Sequence, residues 1–294
     1  MKQEQNLTEG PVLKTLLVFT VPFIIANVIQ ALYGAVDLFV IGRYCTPESV
    51  AAVSTGTQVT QIITSMITGL TLGSTILVGK YTGMNAKEEV KKTIGTTLSV
   101  FALAALALTA AMLLLVTPIL ELLKTPEQSF ALARQYVVIC SCGIFFICGY
   151  NAISAILRGY GDSRRPMMFI ALSCALNVAG DVILVKYAGL GVAGVALATI
   201  GSQAISMICA IVYLNRSRFI FTFTLSNLRI DSRKVRELAA VGIPISLQEC
   251  MVRLSFLYLT SVTNRLGVYA AAAVGIASKY DVFAMLPATS TANA

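Results

Sequence analysis

Two aspartates, Asp37 and Asp181, stand inside long apolar runs of this sequence, GAVDLFVIG and NVAGDVILV, with no counter-charge within a helical turn of either. A carboxylate at the centre of a membrane helix costs about 2.5–3.5 kcal/mol on the insertion scale, so both residues call for a chemical reason. Asn177 lies four residues before Asp181, on the same helical face, and Thr199 follows in the next apolar run. Two carboxylates, an amide and a hydroxyl form a hard-oxygen set. Two carboxylates brought together in a low dielectric do not both ionise cheaply, so the pair would carry a proton near neutral pH. The same oxygens suit Na⁺, and Asp37, Asn177, Asp181 and Thr199 are therefore expected to bind H⁺ or Na⁺. The plainer reading has each Asp hydrated near the headgroups, or bonded to a neighbouring helix only to hold the bundle together.

Further polar groups occur within the first and fourth apolar runs: Gln30, Tyr33, Tyr150 and Asn151. They would line a substrate cavity or act as polar glue between helices. Pro22 removes one bond of the helical ladder and is expected to act as a hinge in the first run. Glu249, with Gln248 beside it and Arg253 four residues on, either neutralises itself as an i,i+4 pair or forms a second cation site. Cys140, Cys142 and Cys148 lack metal-ligand spacing, and the chain has no His to complete a mixed site. They read as small core residues. No cofactor is expected beyond H⁺ or Na⁺ as coupling ion.

The elements that must position these residues are apolar segments of about 20 residues, each long enough to span roughly 30 Å of hydrocarbon. Hydrophobic residues make up 56% of the 294 and charged residues only 12%, which excludes an ordinary aqueous globule. The net charge of +8 would suggest nucleic acid in a soluble protein, but here the basic residues sit between the apolar runs as topology signals, and no nucleic-acid partner is expected. The runs predict an all-α polytopic membrane protein with helices near 14–41, 50–79, 93–117, 131–157, 167–186, 190–214, 238–262 and 270–290. Lys80, Lys87, Lys91, Lys92, Arg158, Arg164, Arg165 and the cluster from Arg216 to Arg236 then fall on one side. Arg43, Lys124, Arg134, Lys186 and Arg265 fall on the other, which puts the N-terminus in the cytoplasm. The opening MKQEQNLTEG lacks the form of a cleaved signal peptide, so the first run is expected to remain as a span. Asp37, Asp181 and Thr199 all come out in the outer half of the bilayer.

The polar stretch 215–237 separates six spans, 1–214, from the start of a second transmembrane lobe, 238–294. VFTVPFIIANVIQ around Pro22 and LAAVGIPISLQEC around Pro244 each place a proline early in a span, and Ala-Ala-Val at 51–53 recurs at 272–274. Six spans lie between the copies, so the repeat is parallel: a six-helix N-terminal lobe plus the first two helices of a second lobe that stops early at LPATSTANA. This reads as a repeat protein cut short.

With these motifs in place, the chain resembles the multidrug and toxic compound extrusion (MATE) transporters, particularly their prokaryotic branch. The likeness rests on the Pro22 to Asp37 arrangement, GYGDSRRP at 159–166 and LNVAGDVILVKYAGLGVAGVALAT at 176–199. The resemblance implies that Asp37, Asn177, Asp181 and Thr199 bind the coupling cation and that Pro22 bends the first helix. Glu249 matches a cation position of the second lobe in some members. It further implies a multi-pass protein of the prokaryotic cell membrane, monomeric if full length, that exports organic, often cationic compounds in exchange for H⁺ or Na⁺. A lipid-linked precursor flippase is the alternative, although no Lys or Arg stands mid-span in the first lobe to hold a pyrophosphate. An enzyme is not expected: there is no His, no HExxH and no paired-aspartate protease motif in two adjacent helices.

Overall fold

Runs of Leu, Ile, Val, Ala and Phe separated by mostly short connections fold here into long helices. The computed structural model describes residues 12–216, 221, 228–265, 284–285 and 287–292. Eight α-helices follow in order among them: α1 (Val12–Tyr44), α2 (Pro47–Gly83), α3 (Lys87–Leu122), α4 (Glu127–Cys142), α5 (Ile144–Gly159), α6 (Arg164–Asp181), α7 (Gly191–Arg216) and α8 (Ser232–Arg265). A π-helical turn, Val182–Tyr187, continues α6. Six of the helical segments are long and apolar enough to cross a membrane, and α4 and α5 are so only when taken together as one bent pair. The eighth expected span, 270–290, lies mostly outside the described residues. Leu103, Leu106 and Leu114 of α3 are 55%, 63% and 80% exposed, an outward apolar face suited to lipid.

The turns explain why the helices stop where they do. Pro47 opens α2, where its missing N–H costs nothing. Asn85 and Lys124 adopt left-handed backbone (φ 55° and 50°) in the α2–α3 and α3–α4 connections. In the α5–α6 turn Gly161 takes φ 91°, a conformation that suits glycine, and Asp162 accepts the backbone N–H groups of Arg164 and Arg165, each at 3.1 Å.

Two features depart from the sequence reading. The fourth span is not continuous: α4 and α5 meet at 47° around Gly143, where a β-carbon would collide with the Ile200 side chain of α7. Helix α8 begins at Ser232 rather than 238, because Asp231 caps it by accepting the N–H groups of Arg233 (2.9 Å) and Lys234 (3.2 Å). The basic segment expected as loop thus supplies the first turns of a helix.

Helix α2 forms the spine. Its residues Val53, Ile63 and Ile67 join Ile41 of α1, Phe101 and Leu120 of α3 and Ile144 of α5 in the main core. Several of its hydroxyls are satisfied within the helix: those of Thr60, Thr64, Thr68, Thr71 and Ser74 each donate to the carbonyl four residues back. That arrangement suits a helix with little water to bond. Its far half is crossed by α8 at glycines. A β-carbon on Gly73 would stand 3.0 Å from Gly242 Cα and 3.3 Å from the Leu238 carbonyl oxygen, and one on Gly69 would overlap the Ser246 backbone. Ser246 donates its hydroxyl to the Met66 carbonyl at 2.8 Å.

Candidate functional site

Helix α1 presents Tyr33 and Asp37 one turn apart, α6 presents Asn177 and Asp181 one turn apart, and α7 presents Thr199 and Ser202. The three helices pack on one another, and Gly180 makes the approach close: a β-carbon there would lie 3.0 Å from Ala198 Cβ. Asp37 is 4% exposed, and Asn177 and Asp181 are fully buried. The Asp37 carboxylate interacts with Asp181, Asn177 and Thr199, and the Thr199 hydroxyl donates to its Oδ2 at 3.5 Å. All four residues picked from the sequence therefore come together.

What distinguishes the cluster is the number of polar atoms left over. Asp37 Oδ1, both carboxylate oxygens of Asp181 and both amide atoms of Asn177 are buried with no hydrogen-bond partner among the described residues. Buried polar groups are nearly always paired, and carboxylates above all. Four of these five atoms are oxygens, and with the Thr199 hydroxyl they offer the hard donors that fit a proton shared between carboxylates or an alkali cation. Among the described residues no cluster of three or more His, Cys, Asp or Glu side chains offers a transition-metal site.

Tyr33 joins this cluster rather than standing apart from it. Its hydroxyl donates to the Thr199 carbonyl at 3.2 Å and lies 2.7 Å from the Ser202 hydroxyl, which itself donates to the Thr199 carbonyl at 2.9 Å. Ser202 thus ties α1 to α7, and sequence reading missed it: a serine in an apolar run gives no sign of its partner. Directly beyond Asp181 the helix turns π-helical, with the Ala188 N–H reaching the Ile183 carbonyl at 2.9 Å, and such turns recur at functional sites.

The remaining expectations fare differently. Gln30 lies on the exposed side of α1. Of the two readings open for Tyr150, the contacts match polar glue between helices: it is 7% exposed, and its hydroxyl donates to the Pro166 carbonyl at 3.0 Å, joining α5 to α6. Asn151 bonds the Ile147 carbonyl of its own helix at 2.8 Å. Pro22 is buried within α1, which runs helical on both sides of it. Glu249 is half-buried on α8, and Arg253 is directed at Ser65 of α2, at 3.3 Å, instead of at Glu249.

A second polar cluster lies at the end of the bundle that carries the α2–α3 and α5–α6 turns. Lys234, 1% exposed, reaches Glu89 of α3 at 2.7 Å and Glu237 at 3.6 Å, and lies over the Tyr81 ring at 3.6 Å. The Tyr81 hydroxyl donates to Glu237 at 2.6 Å. The sequence presents Lys234 only as one more topological charge. Nothing local in it announces a partner on α3.

Comparison with known proteins places this geometry in a lineage. The family model MatE matches residues 22–183, more than half of the chain and inclusive of Asp37, Asn177 and Asp181. The probable multidrug resistance proteins YoeA and YpnP of Bacillus subtilis (strain 168) are 29% and 28% identical, over 97% and 98% of this chain. The chain spans 63% and 64% of their lengths. A solved structure described as the outward-facing conformation of a multidrug resistance MATE family transporter of the MOP superfamily superposes with a TM-score of 0.90 at 25% identity. It covers all of this chain, which in turn spans 65% of it. A multi-pass helical membrane protein with a buried, under-bonded carboxylate pair between its first and sixth helices, this chain belongs to the MatE family of transporters.

Proposed function

We propose that the chain carries the cation-coupling lobe of a secondary antiporter that exports organic, often cationic compounds in exchange for H⁺ or Na⁺. One observation carries the reading: five buried polar atoms of Asp37, Asn177 and Asp181 meet at one place without hydrogen-bond partners among the described residues. Charging or neutralising that cluster changes the cost of keeping α1 packed on α6 and α7, and so biases one packing of the helices over another. The names of the Bacillus relatives support a drug-like cargo. The concentration of Lys and Arg at one end of the helices supports a cytoplasmic N-terminus in a prokaryotic cell membrane. In this reading 1–214 is one lobe, 215–237 the connection and 238–294 the beginning of a second.

The test is efflux of a fluorescent organic cation from pump-deficient cells expressing the chain or its Asp181→Asn variant at matched membrane levels, under imposed H⁺ or Na⁺ gradients. Gradient-driven efflux that disappears in the variant supports the antiporter. Efflux that persists after both gradients are collapsed refutes it.

A further inference from the structure

Along the outward face of α7, a groove of about 530 Å³ is lined by Ile208, Cys209, Val212, Tyr213 and Arg216. Ile208, Val212 and Tyr213 are between 41% and 53% exposed, so the groove opens to the surroundings of the bundle, which for a spanning segment is lipid. One end is apolar, and the other is basic. Arg216 closes it in the last turn of α7, and Arg164 and Arg165 stand in the first turn of the antiparallel α6. The Arg165 guanidinium lies over the Tyr213 ring at 5.0 Å and pairs with Asp162 at 2.9 Å. Arg165 is thereby neutralised and fixes the aromatic floor, and the one acid of this turn is used up. Arg164 and Arg216 have no ion pair among the described residues.

We infer that this groove is a binding site for an anionic glycerophospholipid of the adjacent leaflet, its acyl chain along Ile208, Cys209 and Val212 and its phosphate between Arg216 and Arg164. Charge complementarity selects the occupant. Arg216 at the mouth of the apolar groove and Arg164 in the adjoining first turn of α6 match a ligand with an anionic head and an apolar tail, and basic sites at the ends of spanning helices hold anionic headgroups in this way. The assignment requires membrane insertion alone and is independent of what the protein transports, so efflux data and lipid-binding data can fail separately.

The experiment is native mass spectrometry of the purified chain released from detergent with dioleoyl-phosphatidylglycerol or dioleoyl-phosphatidylcholine, comparing parent, Arg216→Gln, Arg164→Gln and Lys87→Gln. Lys87, exposed at the same end on α3, reports diffuse surface charge. The site predicts that phosphatidylglycerol is retained over phosphatidylcholine, and that each arginine variant weakens its retention about fivefold while Lys87→Gln leaves it unchanged. Deacylated glycerophosphoglycerol should not displace the lipid. Equal retention of the two lipids by the parent, an equal loss in Lys87→Gln, or displacement by the soluble headgroup would each overturn the assignment.

Discussion

Substituting alanine at Gly69 or Gly73 tests how closely α2 and α8 must approach. In an exposed helix interior Gly→Ala gains about 1 kcal/mol, so an uncrowded site should become more stable. Gly34 and Gly201 are such sites, with nothing within 4 Å of a built β-carbon. At Gly73 the new carbon would stand 3.0 Å from both Gly242 Cα and N, where carbon contacts prefer about 3.5–4.0 Å. The obstacles are backbone, which has no rotamer to yield, so the helices must separate by roughly 0.5–1 Å. Gly69 meets the Ser246 backbone more closely still. Overpacking of this kind costs about 1–3 kcal/mol, and separation also strains the Ser246 to Met66 hydrogen bond. In nanodiscs, thermal unfolding should fall by roughly 3–10 °C for Gly69→Ala and Gly73→Ala, with Gly69→Ala the worse, and should hold or rise for Gly34→Ala and Gly201→Ala. A Gly69→Ala protein as stable as Gly34→Ala would refute the crossing as described.

Three further outcomes follow from particular contacts. Thr199→Val removes the hydroxyl that donates to Asp37 and should weaken coupling-ion binding about 2- to 10-fold, measured by ion-dependent quenching of a site-adjacent fluorophore; Ser206→Ala, whose hydroxyl serves the Phe169 carbonyl, should leave it unchanged. Tyr150→Phe loses one buried hydrogen bond to Pro166 and should cost about 1 kcal/mol in thermal unfolding without altering ion dependence, whereas a shift in substrate affinity would return Tyr150 to the cavity wall. Lys234→Gln removes the buried cation from Glu89, Glu237 and Tyr81, and hydrogen exchange in the first turns of α8 should quicken; exchange at the parent rate would show that the Asp231 cap alone holds that end.

The parts of this molecule legible in the sequence are those with a large local cost. Burying a carboxylate in an apolar run is expensive wherever the run ends up, so Asp37 and Asp181 identify themselves, and helical spacing adds Asn177. Depth along antiparallel spans brings in Thr199. Rotation about each helix axis is a tertiary property that hydropathy does not carry, which is why the sequence left Tyr33 and Tyr150 open between cavity lining and polar glue, and why Ser202 went unnoticed. The break at Gly143 was hidden for a similar reason. A single glycine in an apolar run is compatible with a straight helix, and the side chain that occupies its empty face, Ile200, lies on α7. The start of α8 was misplaced because basic residues were read as loop, although Asp231 stands where a cap belongs.

Helix α2 packs against α1 and α7, which carry Asp37 and Thr199, and also against α8, which among the described residues makes its substantial contacts with α2 and α3. In mechanical terms α2 is a lever with a fulcrum. From Pro47 to the glycine crossing near Gly73 the rod is about 36–39 Å long at 1.5 Å per residue. A rotation of about 5° about that crossing sweeps the Pro47 end through about 3 Å, close to the diameter of a water molecule. Small adjustments among the buried oxygens would reach α8 as changes in the angle of a stiff bar, pivoting where the two helices meet at Gly69, Gly73 and Gly242.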